Sequence, residues 1–280
     1  MREMILSSYF LLLCVVSPHA EDTNLLQQLT VEDARKLADD KSGRLLLNDL
    51  NTISPEAAKE LARHKGWLSL NGLTAISDEA AAALGRHKHA LHLDGLSKLS
   101  ASAAAALASH RSELSLNGLT AISDETAKAL ARHTAGRLFL KGLTTLSPAA
   151  ARALSKRKGG GPIYQLHLDG LTTLSPEAAA ALVEMHGHNW NGRLPRFKTV
   201  PDDVARALAK EKGNVRSMPG LTTISDEAAK LLFPKIGGNL PELMTLSPEA
   251  AKALAKARGH LVLDSLTSLP YEAAKALTED

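Results

Sequence analysis

Apolar and polar positions repeat along this chain in a fixed order. The stretch LSLNGLTAISDEAAAALGRHKHA, from Leu68 to Ala90, recurs in variants from near the start to the last residues. The leucines that open successive units, Leu45, Leu68, Leu91 and Leu114, stand 23 residues apart, and Leu138 follows after 24. A period of this length is the signature of a repeat array whose units bury their apolar faces by stacking.

Each full unit begins Leu-x-Leu, as in Leu68-Ser69-Leu70. That alternation predicts a short strand with two leucines on the inner face and the middle residue on the outer one. Asn or Asp follows, then Gly at 72, 95, 118, 142, 170 and 220, where a residue without Cβ is expected to turn the chain at positive φ. A helix then opens on Ser at 54, 77, 123, 147, 175, 225 and 247, a favoured N-cap, with Pro or Asp next. Glu56, Glu79, Glu125, Glu177 and Glu227 follow near the positive end of the helix dipole.

The apolar residue before each helix is Leu29, Ile53, Ile76, Leu99, Ile122, Leu146, Leu174, Val200, Ile224, Leu246 or Leu269, which predicts eleven helices. Five residues after every one stands alanine and eight after it leucine, from Ala34 and Leu37 to Ala274 and Leu277. Residues three apart share a helix face. An alanine repeated in every copy marks a helix backbone too close to its neighbours for a larger side chain.

The expected fold class is therefore α/β, a solenoid with one short parallel strand and one helix per repeat, and about eight to ten strands in the sheet. Residues 1–20 read as a separate signal peptide, and 21–280 as a single solenoid. Regular repeats cover 45–165, irregular ones 166–260, and a last repeat 261–280. The half unit around Leu29 and Ala34 lacks a strand and is expected to cap the array. Regularity fails at two insertions, Lys158 to Gln165 and His186 to Gly192. Pro195, Pro219 and Pro241 then replace the Asn or Asp of regular units. Proline has no N–H to donate to a ladder.

Composition narrows the chemistry. Aromatics make up 3% against 44% hydrophobic residues, so leucine and alanine must fill the core. The formal charge is only +3, a poor basis for nucleic-acid binding, which is not expected. Arg2, the apolar run Met4 to Val16 and the small Ala20 form a secretory signal, with too short an apolar run to span a bilayer. Export and cleavage are expected, to a secreted, periplasmic or cell-envelope location without stable membrane insertion. Cys14, the only cysteine, lies inside that signal, so a mature chain has no thiol chemistry.

The LxLNGLTxIS pattern followed by a helix resembles the bacterial leucine-rich repeat. The likeness covers nearly all of the mature chain. It departs from the commonest pattern in lacking the repeated Asn two positions after the turn that pairs with loop backbone. Gly-Leu-Thr stands there instead. The resemblance implies binding of other macromolecules through the exposed face of the parallel sheet.

Candidate sites follow from the same pattern. His64, His87, His110 and His133 recur at intervals of 23. Neighbouring helices pack 8–10 Å apart, too far for adjacent imidazoles to share a zinc ion at about 2 Å each, so these are expected as charged helix-end residues favourable to the dipole. His186 and His188 read as an ordinary polar loop, and Lys156, Arg157 and Lys158 as solvated cations at a helix end. The residues between strand leucines, Leu46, Ser69, His92, Ser115, Phe139 and His167, are expected on the outer sheet face. With Tyr164, Trp190 and Phe197, three of the few aromatics, they put the expected binding residues at His92, Phe139, Tyr164, His167, Trp190 and Phe197. No catalytic constellation, cofactor motif or metal motif is present in the sequence. The chain reads as a non-catalytic binder of a protein or cell-envelope ligand. A structural spacer, and a hydrolase with an unrecognised site in the irregular half, are the alternatives.

Overall fold

The computed structural model describes residues 29–158, 165–185, 190–210, 215–257 and 259–278. Eleven helices lie among them: α1 (Val31–Ala38), α2 (Pro55–Leu61), α3 (Asp78–Leu84), α4 (Ala101–Leu107), α5 (Asp124–Leu130), α6 (Pro148–Ser155), α7 (Pro176–Val183), α8 (Asp202–Leu208), α9 (Asp226–Ile236), α10 (Pro248–Ala255) and α11 (Tyr271–Thr278). Six strands alternate with the earlier ones: β1 (Arg44–Leu46), β2 (Trp67–Ser69), β3 (Leu91–His92), β4 (Leu114–Ser115), β5 (Leu138–Phe139) and β6 (Leu166–His167). They form one open sheet in chain order, every neighbouring pair parallel. The register aligns Leu45, Leu68, Leu91, Leu114, Leu138 and Leu166, all fully buried. The repeat solenoid expected from the periodicity is thus the observed fold.

Six strands are fewer than the repeat count suggests. Beyond β6 the pairing continues among the described residues as isolated parallel bridges, Leu166 with Trp190, Arg193 with Ser217, and Asn239 with Val262. The irregular units place proline where regular units carry an N–H that binds the preceding unit. In the regular part Asn71, Asp94, Asn117 and Lys141 each donate their backbone N–H to the side chain of Asn48, Asn71, Asp94 and Asn117 respectively, at 2.8–3.1 Å. This ladder serves the purpose of the loop asparagine missing from the sequence pattern. Pro195, Pro219 and Pro241 cannot extend it.

The turn glycines meet a different need from the one expected. Among the described residues positive φ occurs at Gly43, Gly192, Gly237 and Gly259, and not at the repeated turn positions. What the turns require is closeness: a Cβ on Gly95 would sit 2.1 Å from the carbonyl oxygen of Asn71, and one on Gly170 would sit 2.0 Å from that of Lys141. Glycine here lets one turn lie directly on the backbone of the turn before it.

The helices are tied together by their caps. Ser77 Oγ accepts from the Ala80 N–H and Ser100 Oγ from the Ala103 N–H, and the same bond recurs at most helix starts. Ser100 Oγ also donates to Asp78 Oδ1 at 2.6 Å, and Ser147, Ser225 and Ser247 donate likewise to Asp124, Asp202 and Asp226. A single hydroxyl therefore caps its own helix and bonds the first residue of the previous one. In α8, Pro201 occupies the cap and makes no such bond.

The repeated alanines from Ala34 to Ala251 are buried in the single continuous core, as close helix packing requires. The half unit of α1 packs on the first full unit, burying Ala34 completely. At the other end Leu261, Leu269 and Tyr271 are 42%, 42% and 78% exposed, because no further unit covers that flank among the described residues. Ala81→Leu and Ala104→Leu are expected to lower stability by roughly 1–3 kcal/mol through overpacking, whereas exposed Ala82→Leu leaves it unchanged. Denaturant midpoints of the three variants check this, and three midpoints equal to the parent's would contradict the packing argument.

Candidate functional surface

The exposed face of the sheet is built from the residues on either side of each first strand leucine. Because side chains alternate along a strand, both neighbours of a buried leucine point outward. The row after the leucine runs Leu46, Ser69, His92, Ser115, Phe139, His167 in strict register. The row before it runs Arg44, Trp67, Ala90, Glu113, Arg137, Gln165. The first row was legible as an outer row from the Leu-x-Leu pattern. The second was not singled out, although the same alternation places it there.

Not all of the first row is open to a ligand. Ser69 and Ser115 are 3% and 1% exposed and donate to Asn48 Oδ1 at 2.7 Å and Asp94 Oδ1 at 2.6 Å. They belong to the ladder between units. The rest form two groups. In the first, the Arg44 guanidinium lies 4.4 Å from the Trp67 ring centre, and the Trp67 and His92 rings are 4.7 Å apart. His92 Nε2 lies 3.3 Å from Glu113 Oε1, and Arg137 lies 3.6 Å from Glu113 Oε2. In the second, Phe139 and His167 stack at 4.4 Å, and Lys141 Nζ sits 4.8 Å over the Phe139 ring. The Asn191 amide nitrogen lies 3.0 Å from His167 Nδ1 and donates to Asp169 Oδ1 at 2.9 Å. Burial pushes the Asp169 carboxyl up, but bonds from His167 and Asn191 and the charge of Lys141 outweigh it and hold the carboxyl below its usual value.

The sequence-predicted aromatics divide sharply. His92, Phe139 and His167 lie together on this face. Trp190 and Phe197 do not, at 0% and 1% exposed. Trp190 pairs with Leu166 and fills the inward place of a strand leucine, while Phe197 takes the place of the turn leucine Leu171. Both replace leucines lost from the irregular units, so neither offers surface to a ligand. Tyr164, His186 and His188 lie outside the described residues. Arg44, Trp67, Glu113, Arg137 and Lys141 are the contributors that the sequence reading missed.

The histidine row also differs from expectation. His64, His87, His110 and His133 are 2%, 1%, 1% and 0% exposed, inside the fold beside the helix ends. The His87, His110 and His133 rings stack nearly parallel at 6.1 and 6.2 Å. His87 faces the carbonyl oxygens of Ala62 and Gly66 through its two ring nitrogens, at 3.2 and 2.9 Å. Burial lowers all four pKa values, to about 4 for His110 and His133, so the rings are neutral at pH 7 and give no charge to a helix dipole. Arg157 extends the row and is only 2% exposed, donating to the carbonyls of His133 and Gly136. It is a structural cation and not the solvated one expected. Burial brings its pKa down to about 10, which keeps it charged.

No protein-family model matches this chain, and comparison with curated proteins finds no match.

The histidine row makes stability depend on pH in a defined window. An unfolded histidine takes its proton near pH 6.5, whereas folded His110 and His133 resist it until about 4. Between those values the unfolded state binds more protons, so stability is complete above pH 6.5 and falls as pH drops toward 4. The loss is about 1.4 kcal/mol per pH unit at most for each of the two. Asp40 and Asp169, whose carboxyls are held low, add losses only at more acid pH. Urea midpoints at pH 7 and pH 5 are expected to differ, with a smaller difference in His133→Gln. An equal midpoint at both pH values would refute the assignment.

Proposed function

We propose that this protein is a non-catalytic recognition scaffold, a solenoid of the leucine-rich-repeat kind, that binds a partner protein across the exposed face of its sheet. The observation that carries this reading is the contrast between the two faces of the strands. Inward positions repeat leucine from β1 to β6. The outward ones vary from unit to unit among Arg, Trp, Glu, His, Phe and Leu. A spacer needs only the inward half of that pattern. The outward half supplies aromatic rings flanked by cations and one carboxylate, the residue types that commonly dominate interface energies.

The secretory character of residues 1–20 supports an exported protein that meets its partner outside the cytoplasm or in the cell envelope. Those residues lie outside the described ones.

Pull-down from envelope and medium fractions of the source cells, with a chain beginning at residue 21, tests the reading. A specific partner is expected with the parent and with Lys128→Ala on the exposed helix side. Trp67→Ala and Phe139→Ala are each expected to weaken capture by roughly tenfold. Equal capture by all four proteins would move the interface off the sheet face, and no retained protein would favour the spacer.

A further inference from the structure

Independently of the sheet face, the turn edge of the array carries a groove of about 490 Å³ lined by Thr172, Pro195, Arg196, Lys198, Thr199 and Glu242. It opens where one unit departs from the repeat in two places at once. Alignment of Leu194-Pro195-Arg196-Phe197-Lys198 with Leu168-Asp169-Gly170-Leu171-Thr172 puts Arg196 at the turn glycine and Lys198 at the turn threonine.

The first departure puts a side chain at a crowded position. Turn glycines lie so close to the preceding turn that a Cβ on Gly170 or Gly220 would fall 2.0 or 2.1 Å from a carbonyl oxygen. Arg196 brings a Cβ to that position, as Glu242 does two units further on. Backbone bonds join some neighbouring turns and not others. Thr172 N–H donates to Thr144 at 3.0 Å, Thr222 N–H to Lys198 at 2.9 Å and Met244 N–H to Thr222 at 2.9 Å. Among the described residues no such bond joins Lys198 N–H to Thr172, nor Ser97 N–H to Thr74 or Thr120 N–H to Ser97 in the regular units. Both replacements at this junction are cationic.

The two cations are held differently. Lys198 pairs with Glu242, two units further on, while Arg196 is exposed and makes no ion pair among the described residues. The guanidinium is thus left with its planar set of donors facing solvent beside a second cation and the Thr199 hydroxyl, while the Thr172 hydroxyl donates to the Thr144 carbonyl at 3.2 Å. Such a set suits the three acceptor oxygens and double charge of a phosphate monoester better than the two oxygens and single charge of a carboxylate. The volume far exceeds a bare ion and lies in the range of small-molecule sites.

We infer that this groove is a binding site for a small organic phosphate monoester, with Arg196 and Lys198 holding the phosphate and the Thr199 hydroxyl completing its hydrogen bonds. Glu242 is then a competitor that occupies Lys198 while the groove is empty and repels the phosphate as it enters.

Calorimetric titration of the chain from residue 21 with phenyl phosphate at low ionic strength tests the assignment, with benzoate as the carboxylate control. Saturable binding of phenyl phosphate is expected, at least roughly tenfold tighter than benzoate. Arg196→Gly with Lys198→Thr restores the residues of the neighbouring units and is expected to fold as well as the parent while losing the binding. Glu242→Gln is expected to tighten binding several-fold, an effect that a merely structural Lys198–Glu242 pair does not produce. The absence of saturable binding, equal affinity for benzoate, unchanged affinity in the double variant, or weaker binding in Glu242→Gln would each overturn the proposal.

Discussion

The constraint on which the rest depends is how closely one turn lies on the turn before it. A unit of one three-residue strand and one seven-residue helix exposes most of its leucines when alone, and stacking is what buries them. The approach is close enough that the turn residue has no room for a Cβ, and glycine follows. With backbones in contact, a short Asn or Asp side chain in one unit reaches the N–H of its equivalent in the next. At the other end of the unit the serine hydroxyl reaches the aspartate of the previous helix. These polar bonds repeat with the chain, so they fix the register of each new unit while the leucines supply its burial.

Much of this was legible because a packing requirement acting on every unit leaves the same residue in every copy. The strand leucines, the serine caps and the alanines were read correctly for that reason. What failed was reasoning from residue type without an inventory of neighbours. Turn glycine suggests positive φ, but here the cause is a neighbouring carbonyl that only the stacked structure shows. Histidine near a helix end suggests a charge facing water. A row of them at the repeat period instead lies beneath the helix ends, where the His87 ring faces carbonyls of the previous unit and the His110 ring faces that of Glu113.

The aromatics teach the same lesson for the candidate surface. In a leucine core an aromatic in an irregular unit suggests selection for binding, yet Trp190 and Phe197 stand where the repeat has lost a leucine. A larger ring restores buried volume that a proline-bearing, poorly paired unit otherwise lacks. Trp67 and Phe139 lie in regular units whose inward leucines are all present. Their rings replace nothing in the core, and each carries a cation over its face. The useful sequence signal was therefore the phase of an aromatic relative to the strand leucines. Its distance from an insertion misled.

The same reasoning separates two kinds of departure from the repeat. Where Trp190 or Phe197 replaces leucine, one apolar group substitutes for another and the core stays closed. Where Arg196 replaces glycine, nothing apolar is restored and an exposed cation is added at the turn. Arg157 shows that the array can take a cation inside when backbone carbonyls are present to receive its donors. Arg196 meets no such acceptors among the described residues and lines the groove. A substitution that repairs packing points to stability as its cause, whereas one that restores nothing apolar and leaves a guanidinium facing solvent points to a ligand.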